Sequence, residues 1–350
     1  MIKHWWKALG ASLVLYSLIF GLSVPLKSGI LEVNPSMLEG GKSYDLIINT
    51  YNATFSEENP VNVWIKIDDD NALTASVVKV LGETKLSAHF DIPKYFPNEK
   101  ENWAYSVIIN DKVNGAFIRP RTIAVKFDQI NKEIWRNSPI NSLHKVDKMT
   151  FPFRSVLYET IRNTYYHVPM WFAMTIIFLV SVFYSIKYLR KKDPLVDLKV
   201  RSLTTVGVLL GFLGLITGSL WARSTWGAWW TFSEIKMNMA AIALLIYLAY
   251  FVLRNSFDDE EKRAKISAVY NVFACMAMIP LLFVIPRVVT SSLHPGNGGN
   301  PAIGGEDLDN TMRLVFYPAV IGWILMGIWL ATLLYRVYRI EYKLLDDDDA

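Results

Sequence analysis

Trp226-Gly227-Ala228-Trp229-Trp230-Thr231-Phe232-Ser233-Glu234-Ile235-Lys236-Met237-Asn238 places three tryptophans and a phenylalanine within seven residues. One long apolar segment, Leu203–Trp221, leads into it and a second, Met237–Leu253, leads out. A tryptophan cluster between two membrane-length apolar runs belongs at the membrane–water boundary. There the ring body stays in apolar surroundings while the indole N–H still reaches a partner. Two readings of the cluster stand side by side: a flat, electron-rich shelf for a large planar ligand, or an aromatic belt that only anchors helix ends.

Outward from this stretch, the apolar runs define the fold class. A helix needs about 20 mostly apolar residues to cross a bilayer, and six stretches qualify: Ala8–Leu26, Val168–Ile186, Leu203–Trp221, Met237–Leu253, Ala268–Val289 and Leu314–Tyr335. The chain therefore reads as an α-helical polytopic membrane protein with six transmembrane helices. Lysine and arginine set its orientation. Lys3 and Lys7 precede the first run, and Lys187, Arg190, Lys191, Lys192, Lys199 and Arg201 separate the second from the third. Arg254, Lys262, Arg263 and Lys265 lie between the fourth and fifth, and Arg336, Arg339 and Lys343 follow the sixth. The opposite loops hold only Arg223 and Lys236, then Arg287 and Arg313. This asymmetry predicts both termini in the cytoplasm and the tryptophan cluster on the outer face. The first run has a basic start, as a signal peptide does, but no small-x-small cleavage site follows it near Ser23–Ser28, so it is read as an anchor.

Between the first two runs the periodicity changes to two. Tyr44, Leu46 and Ile48 alternate with polar neighbours, as do Val61, Val63, Ile65 and Ile67. The pattern recurs at Leu86–Ile92, at Trp103, Tyr105, Val107 and Ile109, and at Thr122–Phe127. Turn signals at Glu39-Gly40-Gly41, Glu58-Asn59-Pro60, Asp68–Asn71, Pro97-Asn98 and Asn110-Asp111 separate the runs. Short half-buried strands at this spacing predict an antiparallel, immunoglobulin-like sandwich. Without cysteines in this block, its core must rest on residues such as Trp64 and Trp103. The expected organisation is a first transmembrane helix at 1–27, an outward-facing all-β insertion with linker at 28–150, a five-helix membrane domain at 151–343 and an acidic tail at 344–350.

The totals exclude several function classes. A net charge of +4 is too small and scattered for nucleic acid. The lone cysteine, Cys275, lies in an apolar run and has no partner for a disulfide or a zinc cluster. No Asp, Glu or Lys lies mid-span, which argues against a proton-coupled transporter, and no Ser-His-Asp or paired-carboxylate arrangement stands out. What remains on the outer face is a pair of imidazoles far apart in the chain. His167 precedes Pro169, a residue suited to the first turn of a helix. His294 lies in the loop Thr290–Asn300, whose glycines and prolines let it fold over a ligand. Histidine is the commonest axial ligand of haem iron, and a porphyrin favours aromatic surroundings. Arg223, Lys236 and Arg287 are the cations available to its propionates. Each histidine alone reads as structural; together with the tryptophan shelf they read as a haem site. The chain is then a holder and presenter of a cofactor, and not an enzyme.

His167-Val168-Pro169, Thr217-Gly218-Ser219-Leu220-Trp221, Trp226-Gly227-Ala228-Trp229-Trp230 and Ser292-Leu293-His294 resemble the CcmC type of haem-handling protein of cytochrome c maturation, within the superfamily that shares a "WWD" signature. The resemblance covers the six spans and implies a periplasmic, transiently occupied b-type haem site in the bacterial inner membrane. His167 and His294 would be its axial ligands, and the loop 226–238 would be its platform, with Trp226, Gly227, Trp229, Trp230, Phe232, Glu234 and Lys236. It also implies delivery of haem to a periplasmic haem chaperone, whose release depends on an ABC-type ATPase complex. Two departures stand out. Phe232 replaces the third tryptophan, and Ser233 stands where the family has aspartate. With one residue inserted, Glu234 and Lys236 preserve the acid-then-base order. The β insertion lies outside the resemblance and is expected to dock the chaperone or another periplasmic partner. Two alternatives remain open: the haem-lyase branch of the superfamily, expected to carry further histidines inside its spans, and a haem-free scaffold or transport subunit.

Overall fold

The computed structural model describes residues 4–68, 71–96, 104–127, 140, 142–289, 292, 294 and 308–348, the last four of these by backbone alone. The chain divides into two compact units, Pro25–Tyr158 and the combination of Met1–Val24 with Glu159–Ala350.

The first unit is built of two sheets. One has strand order β1 (Gly29–Asn34), β3 (Ser43–Tyr51), β7 (Lys85–Asp91), β6 (Val77–Gly82). The other runs β2 (Met37–Glu39), β9 (Gly115–Lys126), β8 (Ala104–Asp111), β4 (Asn62–Lys66), β5 (Ala72–Thr74). All pairings are antiparallel except β2 with β9. Leu46, Ile48, Leu86 and Phe90 of the first sheet bury against Val63, Ile65, Val107, Ile109, Ile123 and Val125 of the second. These are the apolar positions of the period-two runs, turned to one face by the pleat. Trp64 does not join that core. It sits on the other face of β4 in a small cluster with Ala72, Ile108 and Ile140, because its neighbours Val63 and Ile65 occupy the inward positions. Trp103 lies outside the described residues. β1, β2, β5 and β6 do not stand out by alternation: β2 and β5 are three residues long, and on the solvent-facing side of β6 the exposed Val77 and Leu81 flank Lys79.

Among the described residues, the second unit holds six helices long and apolar enough to cross a membrane. These are α1 (Trp5–Ser23), α2 (His167–Lys191), α3 (Pro194–Trp226), α4 (Ile235–Arg254), α5 (Glu260–Ile279) and α7 (Asn310–Asp348). The fifth continues through a π-helical turn, Pro280–Val284, into a short α6 (Ile285–Val288). Pro280 can neither donate an N–H nor tolerate the carbonyl one turn back, and the wider turn accommodates it. α3 and α7 outrun their apolar cores at the charged end. Asp193 caps α3, its Oδ1 accepting from the Leu195 N–H at 2.9 Å, with Pro194 in the first turn. The residues read as a separate acidic tail continue α7 as far as Asp348. A 3-10 helix, Tyr158–Tyr165, precedes α2 in the chain.

Packing among the spans follows small residues, because lipid supplies no hydrophobic force between helices. Down α3, Gly218, Gly214, Gly211 and Gly207 each lie where an added Cβ would come within 3 Å of a side chain of α2: His167, Trp171, Met174 and Phe178 in turn. The spacing of four, three and four residues keeps all four glycines on one stripe. Gly10 of α1 and Gly322 of α7 give the same close approach between those helices. Buried polar groups are satisfied across helices. Asn271 of α5 donates to Ser181 and Ser185 of α2, each at 2.9 Å. Arg254 of α4 meets Asp197 of α3 in a bidentate pair at 2.9 and 2.5 Å, both side chains less than a tenth exposed. Arg254, counted from sequence among the loop cations, is therefore neutralised inside the bundle.

Candidate functional site

The antiparallel succession of spans brings the start of α2, the end of α3, the start of α4 and the chain beyond α6 to one end of the bundle. His167 is the first residue of α2, one position further in than its place before Pro169 suggests. Its Nδ1 lies 2.9 Å from the carbonyl oxygen of Gly214 and 3.2 Å from Thr217 Oγ1. A carbonyl can only accept, so in the neutral ring Nδ1 carries the proton and Nε2 keeps its lone pair for a metal. Thr217 Oγ1 donates in turn to the Leu213 or Gly214 carbonyl. An added Cβ on Gly218 would stand 2.8 Å from His167 Cε1. Gly218→Ala is therefore expected to push the ring off α3 and break the Gly214 bond, lowering ligand occupancy without preventing insertion. Retention of bound chromophore equal to the native protein, measured after purification, would count against this.

His294 lies six residues beyond the end of α6, yet its ring centre is 6.2 Å from that of His167, with the planes tilted by 39°. Two indoles flank it. Trp221 lies at 5.5 Å and Trp226 at 6.5 Å, and the two are packed edge to face at 5.0 Å. Trp171 stands edge-on to His167 at 6.1 Å. The backbone N–H of His294 donates to Ser292 Oγ at 3.2 Å, and Ser292 Oγ donates to Glu234 Oε1 at 2.8 Å. Glu234 is 1% exposed and caps α4 by accepting from the Lys236 N–H at 3.2 Å.

Gly227 closes α3 with a φ of +78°, and its N–H donates to the Arg223 carbonyl. Glycine takes this left-handed position without strain, so its local effect is to stop the helix at Trp226. The following loop leaves Trp229 57% and Phe232 86% exposed and Trp230 half-buried. Asn238 Nδ2 donates to the Phe232 carbonyl at 2.7 Å, and the hydroxyls of Thr231 and Ser233 pair at 2.8 Å. Lys236 is in the first turn of α4, half-buried. Arg223 and Arg287 each donate to a carbonyl of the chain, those of Gly227 and Phe283.

Of the residues singled out from sequence, the fold thus gathers His167, His294 and Trp226 and ties Glu234 to them through Ser292. Trp229 and Phe232 are turned outward. Trp171 and Gly214 carry no site role in the sequence reading, and Thr217, Trp221 and Ser292 enter it only within the motifs that resemble the family. The first was legible as an i, i+4 neighbour of His167, and Gly214 with Gly218 as a small-xxx-small pair. The link from Ser292 to Glu234 has no local signal. The remaining histidines lie elsewhere. His4 is exposed, His144 Nδ1 lies 3.2 Å from Asn110 Oδ1, and His89 sits between Asp45 and Asp91, whose carboxylates raise its pKa. Among the described residues no cluster of three or more His, Cys, Asp or Glu could hold a metal ion.

Fold and site together define a multi-pass membrane protein that brings two sequence-distant imidazoles into a tryptophan-walled end of its helix bundle. The chain belongs to the CcmC family, heme exporter protein C, whose sequence model matches residues 151–346, more than half of its length. It is 27% identical over 176 residues to heme exporter protein C of Bradyrhizobium diazoefficiens, a stretch covering 49% of this chain and 64% of that one. It is 26% identical over 181 residues to the Paracoccus denitrificans protein of the same name, covering 51% and 71%. A shorter stretch of 83 residues is 40% identical to the cytochrome c biogenesis protein CcsA of Prochlorococcus marinus, covering 24% of this chain and 26% of that relative.

Proposed function

We propose that this protein binds haem at the periplasmic face of the bacterial inner membrane, with His167 and His294 as axial ligands, and presents it to a periplasmic haem chaperone for cytochrome c maturation. The observation that carries the reading is the 6.2 Å between the two imidazole centres. A metal–imidazole bond is about 2 Å long, so two in line, with the step from each nitrogen to its ring centre, come to about 6 Å. The donor set fits as well: the Gly214 carbonyl holds the His167 proton on Nδ1 and leaves Nε2 available. Trp221 and Trp226 supply the aromatic wall a porphyrin favours. The exposed Trp229 and Phe232, with Trp230, extend that wall as a platform, held in place by the turn at Gly227 and the α4 cap of Glu234 and Lys236. Haem is cargo in this reading: its axial coordination is exchanged but no covalent bond of it is made or broken, so the protein is read as not an enzyme. The outward orientation, with both termini cytoplasmic, rests on the lysine and arginine asymmetry. An ABC-type ATPase complex is the expected partner for releasing the loaded chaperone.

The β unit supports the chaperone half of the reading. Its orders β1-β3-β7-β6 and β9-β8-β4 follow the ABED and CFG sheets of an immunoglobulin fold, and we read it as an immunoglobulin-like docking module. The similarity to a CcsA protein supports a second reading, a haem lyase. It is the weaker one, because none of the five histidines lies in the apolar interior of a span. The test is purification in mild detergent. Haem with a Soret band is expected, and removal of residues 30–150 is expected to abolish chaperone loading while sparing that band. A colourless protein would sink the haem reading; chaperone loading by the shortened chain would sink the docking role.

A further inference from the structure

The two imidazoles are held in unlike ways. His167 is part of a helix, wedged on Gly218 and bonded to the Gly214 carbonyl, so its position is set by the packing of α2 on α3. His294 belongs to no helix. Its backbone N–H is held by Ser292 Oγ, whose own proton goes to a carboxylate oxygen of the buried Glu234. That carboxylate in turn caps α4 immediately after the tryptophan loop. One relay therefore links the start of α4, the end of the aromatic loop and the second imidazole.

Resting on the haem reading above, we infer that Glu234 and Ser292 are positioning residues for His294: the Glu234 carboxylate acts through the Ser292 hydroxyl to hold that imidazole opposite His167. The chemistry suits the task. A hydroxyl donates to one group while accepting from another, and a bond to a carboxylate is stronger than one between neutral groups. At the end of the aromatic loop it is Glu234 that is buried, while the neighbouring Ser233 is turned out to solvent. A movement of the tryptophan loop that withdraws Glu234 would loosen His294 and leave His167 in place.

The experiment compares the ferric spectra of purified, haem-loaded wild type, Ser292→Ala, Glu234→Ala and Glu234→Gln, together with the rate of haem loss to an apo-globin scavenger. Partners behind a metal-ligating histidine are worth roughly 10–100-fold in affinity. S292A and E234A should therefore lose haem about 10-fold faster or more, and shift from a six-coordinate low-spin spectrum toward a high-spin one. Millimolar imidazole should restore the low-spin form by standing in for the loosened ligand. E234Q, which keeps an oxygen that accepts from Ser292 but only as a neutral amide, should fall between wild type and the alanine variants. S292A leaves the α4 cap intact, so it reports on positioning even if E234A folds poorly. Low-spin spectra and wild-type loss rates in both alanine variants would overturn the inference alone, as would a loss that imidazole does not restore. A wild type with no Soret band would overturn the haem reading and this inference with it.

Discussion

Replacing both His167 and His294 with alanine is expected to abolish the haem band of the purified protein while leaving it inserted and monodisperse in detergent. Losing a hydrogen-bond partner behind a metal-ligating histidine already costs roughly 10–100-fold in metal affinity, so losing both imidazoles should exceed that range. The single variants should differ in kind. H294A removes an imidazole held by a side-chain relay at the edge of the site, leaving His167 bonded to Gly214 and able to keep one axial position. H167A opens a void against Gly218 at the start of α2 and removes the imidazole fixed by helix packing. Residual five-coordinate haem is therefore expected in H294A and much less in H167A. Absorbance per mole of protein measures both. Undiminished haem in the double variant would show that the indoles or another group hold it.

The second large effect concerns stability at the far end of the same bundle. Arg254 and Asp197 form a two-point ion pair between α4 and α3 with both side chains buried. Taking one partner away strands the other charge in a poorly solvated place, at a cost of about 3–5 kcal/mol. Asp197→Ala and Arg254→Met should each lower the melting temperature in detergent sharply. A combined Asp197→Leu/Arg254→Met variant should recover most of the loss, since replacing both buried charges with apolar groups is often neutral or stabilising. A double variant as unstable as the singles would mean that the pair supplies net stability rather than only avoiding a stranded charge.

The sequence was most legible where a regular repeat meets a single environment. Six apolar runs identify the spans, and alternation at Leu46–Ile48, Val63–Ile65 and Val107–Ile109 identifies inward positions of two sheets. It was less legible at boundaries. α3 starts nine residues before its apolar run because Asp193 and Pro194 begin a helix in the charged region, where hydropathy carries no signal. Trp64 was misplaced because residue type marks it as core while register assigns it to the other face.

What the chain determined by itself is its solvent preference, and with it the six spans, the β block between the first two, and an asymmetry of lysine and arginine between the loops. It also determined which side chains were available at one end: two histidines and a run of tryptophans. Only the tertiary structure decided that His167 and His294, 127 positions apart, lie 6.2 Å from each other. It alone assigned Trp221 beside Trp226 to the wall and tied Glu234 to Ser292. Solvent preference is a sum over local composition, readable residue by residue. A contact between distant positions is set by which helix faces pack, and here a stripe of glycines on α3 decides how closely α2 approaches and where its first imidazole comes to rest.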